Sequence, residues 1–152
     1  MSNFSVYAQY CDDIRKEENG KVSLMGVMPG GLPLLVPKKP VVRKLSVFVT
    51  IVVGPDEPLD PMTIEILLNN TVLKESAVPE DLLKQLGHQK LVDSVHASRV
   101  INFATSLYDV DVSAGGSFRA VVKSNAGAVE ALSLQIMRAK SASKPPIPTT
   151  PD

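Results

Sequence analysis

The sequence predicts an all-β protein: an immunoglobulin-like antiparallel β-sandwich with one short helical insertion and an extended Pro-rich C-terminal tail. Three observations carry this. Apolar residues alternate with period two in several segments, as half-buried strands require. Turn-forming pairs, Asn19-Gly20, Asn69-Asn70 and Gly115-Gly116, separate those segments. The chain has 152 residues, of which 44% are apolar and 21% charged, enough for a core without disulfide staples.

The elements follow in order. Phe4 to Ile14 reads as one strand, with Val6, Ala8 and Tyr10 on one face. Asn19-Gly20 suits a type I′ hairpin, because both residues tolerate positive φ, and Lys21 to Val27 returns antiparallel. Met28 to Pro40, with four prolines and two glycines, reads as irregular. In Arg43 to Val53 the core face is Leu45, Val47, Val49, Ile51 and Val53. In Met62 to Leu68 it is Met62, Ile64, Ile66 and Leu68, with Thr63 and Glu65 opposite. Thr71 to Glu75 is the return strand.

Pro79-Glu80-Asp81 breaks the alternation. Proline fits a first helical turn, and acids favour the positive end of the helix dipole. Leu82, Leu83 and Leu86 then share a helical face; Gly87 either stops the helix or only weakens it, since Leu91, Val92 and Val95 can extend the stripe, and the helical insertion is expected near 79–96. Strand character resumes at Arg99 to Leu107, where Ile101, Phe103 and Leu107 align. After Gly115-Gly116, Phe118, Ala120 and Val122 point inward. Ser124 to Gly127 turns again, and Leu132, Leu134 and Ile136 form the last strand. The expectation is seven or eight strands in one domain over 1–139, with a tail over 140–152.

Composition excludes several functions. Sixteen basic and sixteen acidic residues cancel, which removes the general attraction on which nucleic-acid binding depends. The most apolar stretch, Leu45 to Val53, is far shorter than the ~20 residues of a membrane-spanning helix. No basic region followed by an apolar core opens the chain, so no secretion signal is expected, and the location expected is cytoplasmic or virion-associated. A single cysteine allows no intrachain disulfide.

Catalytic and metal-binding patterns are weak. No Gly-Lys-Ser/Thr phosphate loop and no GxSxG elbow occurs. Cys11 with His88 or His96 forms the one conceivable thiol–imidazole pair, but Asp12 and Asp13 oppose thiolate formation. Asp12, Asp13, Asp56, Glu57, Asp60, Asp109 and Asp111 are candidate calcium ligands that lack EF-hand spacing. The histidines show no paired ligand spacing. No catalytic residue, metal ligand or cofactor site is therefore assigned, and an enzyme is not expected. Lys38, Lys39, Arg43 and Lys44 form a basic cluster, read as protection of a strand edge. Asp12 and Arg15 are expected to pair and fix the following hairpin.

Two segments stand out as interaction candidates. Leu32, Leu34, Leu35 and Val36 make a loop too apolar for routine solvation: it either folds over an open end of the sandwich or docks on a partner. Lys144, Pro145, Pro146, Ile147 and Pro148 form a pre-extended segment of the kind that binds at low entropy cost. They predict a protein partner or self-association, a non-catalytic assembly module, against the alternative of a stand-alone ligand- or calcium-binding sandwich.

A resemblance adds context. Tyr7-Ala8-Gln9-Tyr10-Cys11-Asp12-Asp13-Ile14-Arg15, followed by Gly20-Lys21-Val22-Ser23-Leu24-Met25-Gly26-Val27, resembles the opening of an uncharacterised family of small bacterial and phage-encoded β-sandwich proteins. A Pro-containing loop and a Val-rich strand follow there, as in Pro33 to Val53 here. Beyond this first third, the likeness is a general sandwich pattern that includes Gly116-Ser117-Phe118-Arg119. The segment from Pro79 to His96 and the Pro-rich tail depart from it. The resemblance implies a sandwich fold and a phage or prophage context, such as a virion accessory or decoration subunit. It implies no catalytic residues.

Overall fold

The computed structural model describes residues 3–28, 34–36, 40–88 and 98–138. They form an all-β, sandwich-like fold with one α-helix. The strands are β1 (Phe4–Cys11), β2 (Asp13–Lys16), β3 (Val22–Met25), β4 (Leu34–Val36), β5 (Val41–Val53), β6 (Met62–Leu68), β7 (Thr71–Ala77), β8 (Arg99–Asp111), β9 (Gly116–Ser124), β10 (Gly127–Glu130) and β11 (Leu134–Arg138); the helix is α1 (Glu80–His88).

One sheet has the order β1-β5-β8, and the larger has β4-β11-β9-β6-β7, with β10 also on β9. All pairings are antiparallel except β4 with β11, which is parallel. That pair departs from the purely antiparallel expectation. The count departs too, because the described residues alone hold eleven strands where seven or eight are expected. The extra ones are short and leave little periodicity to read.

The core follows the alternation. Leu45, Val47, Val49, Ile51 and Val53 of β5 are buried against Met62, Ile64 and Ile66 of β6 and Phe118, Ala120 and Val122 of β9. Leu68 is only partly buried, where β6 reaches its turn. Glu65, expected on the outer face, is also buried. It lies on a central strand between β7 and β9, where Lys123 Nζ donates to its Oε1 at 2.7 Å.

Tyr10 ties the two sheets together. Its hydroxyl donates to Phe118 O and Leu132 O, each at 3.3 Å. Burial, and then the Glu130 charge, pushes this phenol well above its ordinary 10.0. A raised acid keeps its proton in the fold while the unfolded chain loses it. Stability is therefore complete below pH 10.0 and declines as pH rises beyond it. Tyr10→Phe is expected to cost about 1–2 kcal/mol at neutral pH and to flatten this alkaline decline. Equal alkaline slopes in the two proteins, measured by urea unfolding, would contradict the assignment.

The first segment is not one strand. β1 ends at Cys11, the chain bends at Asp12, and β2 leaves the sheet to pair with β3. At the hairpin tip Asn19 and Gly20 take φ of 61° and 73°, the left-handed pair expected there. The hairpin lies against β5, and Ser46 and Cys11 beneath it are fully buried. Ser46 Oγ bonds Ser106 Oγ at 2.8 Å and donates to Asp12 O at 3.5 Å. The pairing that holds this hairpin is not Asp12 with Arg15. Asp13 accepts from Lys44 Nζ at 2.5 Å, with Arg15 Nε 3.8 Å away. The bend at Asp12 is what transfers this role to Asp13.

The helix begins after Pro79 as expected. Leu83 is buried, and Leu82 and Leu86 pack beside it on the core. The described helix ends at His88, and the remainder of the insertion expected over 79–96 lies outside the described residues. The last strand also differs. The chain forms β10, kinks through 131–133 and resumes as β11, so Leu134 and Ile136 are buried while Leu132 is exposed.

Candidate interaction surface

Of the apolar loop, Leu34, Leu35 and Val36 form β4, whose backbone pairs with Ile136, Met137 and Arg138 of β11. A segment read as irregular is thus an edge strand of the larger sheet. Leu32 and the tail candidates Lys144, Pro145, Pro146, Ile147 and Pro148 lie outside the described residues. So do Lys38, Lys39 and His96.

Cys11 is fully buried, and its Sγ lies 3.5 Å from Asp13 O. Burial, with Asp12 second, raises its thiol above the ordinary value, against thiolate chemistry. His88 sits at the end of α1. Of the acidic candidates, Asp13, Asp109 and Asp111 are each held by different partners. Asp109 faces Arg43 at 3.7 Å, and Asp111 Oδ1 accepts the Ser113 N–H at 2.8 Å; the Ser113 hydroxyl first, and this N–H second, hold the Asp111 carboxyl below its ordinary value. Among the described residues no group of three His, Cys, Asp or Glu side chains could hold a metal ion. Among them, too, no helix is long and apolar enough to cross a membrane.

The sheet edges carry the informative geometry. β1 is one edge of the smaller sheet, but Met28 covers its end: the Met28 N–H donates to Tyr10 O at 2.8 Å. β7 is an edge of the larger sheet and carries Lys74 and Glu75, charges that discourage strand addition. β8 is different. It is thirteen residues long, pairs only with β5 among the described strands, and has no charge from Val100 to Tyr108. It contains no proline.

Open space adjoins this edge. A groove of about 730 Å³ runs between Leu73 and Lys74 of β7 and Ser106, Tyr108 and Val110 of β8. A second, of about 400 Å³, shares Lys74, Ser106 and Tyr108 and is closed by Ile14, Lys16 and Ala104. Tyr108 is 64% exposed, with Lys44 Nζ 5.9 Å from its ring centroid, and Val100 is 45% exposed. Asp109 takes φ 49°, a left-handed kink that closes the uncharged run.

Sequence reading missed this edge. The alternation in 99–107 reads as one more core strand, on Ile101, Phe103 and Leu107. The signal was present in the complementary row, Val100, Asn102, Ala104, Ser106 and Tyr108, which contains no charge. Sequence reading also missed Arg99, which is buried and donates to Gly54 O at 2.6 Å and to Glu57 O, pinning the turn after β5.

A scan against protein-family models matches no family, and a search of curated proteins returns no match.

Proposed function

We propose that this chain is a non-catalytic protein-interaction or assembly module. The observation that carries the reading is β8: a long sheet edge that no described strand covers, uncharged from Val100 to Tyr108, with open grooves beside it. Native proteins protect such edges with charge, proline, brevity or a partner, and β8 has none of the first three between Val100 and Tyr108. The buried thiol argues against a nucleophile, and Asp109 and Asp111 are each held by a different partner.

The finer architecture belongs to the same proposal. In an immunoglobulin-like sandwich β1, β5 and β8 occupy places A, B and E, and β6, β7, β9 and β11 occupy C, C′, F and G. The strand orders support this, although the single cysteine and the absence of tryptophan leave out the antibody-type disulfide and its packed indole. The virion accessory or decoration role is the form of assembly that the N-terminal resemblance implies.

Light scattering after size exclusion tests the reading. The untagged chain is expected to give a defined species heavier than 16.3 kDa at raised concentration. A monomer at every concentration would contradict assembly.

A further inference from the structure

We infer that the partner of β8 is a second copy of this chain, added antiparallel across a two-fold axis at Ala104. The inference rests on the reading of the chain as an assembly module and makes it specific. A two-fold interface brings the same patch of both copies together. For a strand edge that means antiparallel pairing of β8 with itself.

The sequence of β8 is self-complementary in one register. With Ala104 opposite Ala104 of the second copy, Val100 faces Tyr108, Asn102 faces Ser106, and Ile101 faces Leu107. Directly opposed residues of an antiparallel pair point to the same side of the sheet. The two exposed apolar residues of the outer row, Val100 and Tyr108, thus cover each other twice, and the polar pair Asn102 and Ser106 meets twice between them. An aromatic ring against a β-branched side chain is a favourable cross-strand pair. Ile101, Phe103 and Leu107 on the inner row are joined to the same row of the second copy, so the two cores become continuous.

The edges of β1 and β7 fit less well. Met28 already bonds the end of β1. Self-pairing of β7 about its centre would oppose Lys74 to Lys74 of the second copy, with like charges face to face. The grooves beside Ala104 to Val110 provide the room a second strand occupies.

Three variants test the register. Ala104→Cys places two thiols opposite each other at the axis, where the Cα separation of a directly opposed pair, about 4.5–5.5 Å, permits a disulfide. With oxidised glutathione it is expected to form a covalent dimer at least about tenfold faster than Val72→Cys, an exposed control on β7. Val100→Lys is expected to weaken the dimer roughly tenfold or more, since both symmetric pairs lose their apolar contact. Adding Tyr108→Glu to Val100→Lys is expected to restore it, because the new opposite charges face each other across the axis.

An oligomer that forms without the Ala104→Cys crosslink, and that ignores Val100→Lys, overturns the inference and leaves the assembly reading standing. A monomer at every concentration, with the β8 edge amides protected from hydrogen exchange by another part of the same chain, overturns both.

Discussion

Truncating Phe118 to alanine is expected to cost about 3–5 kcal/mol of folding free energy, the range for a buried aromatic removed from a packed core. Among the described residues Phe118 is the largest fully buried side chain, and its strand β9 is central in the larger sheet. Its backbone pairs with Leu68 of β6 and Leu134 of β11, and its carbonyl accepts the Tyr10 hydroxyl from the smaller sheet. Deleting the ring therefore opens a cavity where the two sheets are tied together. A domain of this kind holds only about 5–15 kcal/mol in total, so much of its stability would go. Phe118→Leu, which retains most of the volume, is expected to cost about 1–1.5 kcal/mol. Urea unfolding of both variants measures this, and a loss below about 1 kcal/mol for Phe118→Ala would contradict the packing described.

Gly116→Ala is expected to rank second, at about 2–4 kcal/mol. Gly116 has φ 97°, where a side chain is strained whatever the space around it. A Cβ there would lie 1.7 Å from Asn69 Oδ1. That side chain is not free to swing away. Asn69 Oδ1 accepts the Ser117 N–H at 3.1 Å, its Nδ2 donates to Gly115 O at 3.0 Å, and its carbonyl accepts Arg119 Nη2 at 2.7 Å. The amide thus clamps the β6–β7 turn to the start of β9. The clash and the lost clamp share a cause, so Asn69→Ala, at about 1–2 kcal/mol, should not add fully to Gly116→Ala. Full additivity in denaturant melts would contradict a shared origin.

Much of this architecture was legible in the sequence because a half-buried strand writes its burial as alternation. The inward rows of β5 and β9 and the left-handed hairpin at Asn19-Gly20 stand as expected. Legibility failed where the chain departs from a regular repeat. The bend at Asp12 splits one apparent strand into two and moves the anchoring carboxylate to Asp13. The kink after β10 reverses the facing of Leu132. Glu65 is buried although its neighbours in sequence mark its face as polar, because burial on a central strand depends on what pairs on either side.

Less of the interaction surface could be read. Apolar composition drew attention to Leu34, Leu35 and Val36, whose backbone proves to be a paired edge strand. The β8 edge announces itself by the charges it lacks, and an uncharged row means little until the sheet order shows that no described strand lies beside it.

Hydrogen–deuterium exchange of the β8 amides, followed as protein concentration is raised, tests the central claim most directly. The account predicts that amides between Val100 and Tyr108 facing away from β5 exchange quickly in dilute solution. They should become protected in step with dimer formation, while the edge amides of β7 do not change. Rapid exchange of those β8 amides at every concentration would contradict it.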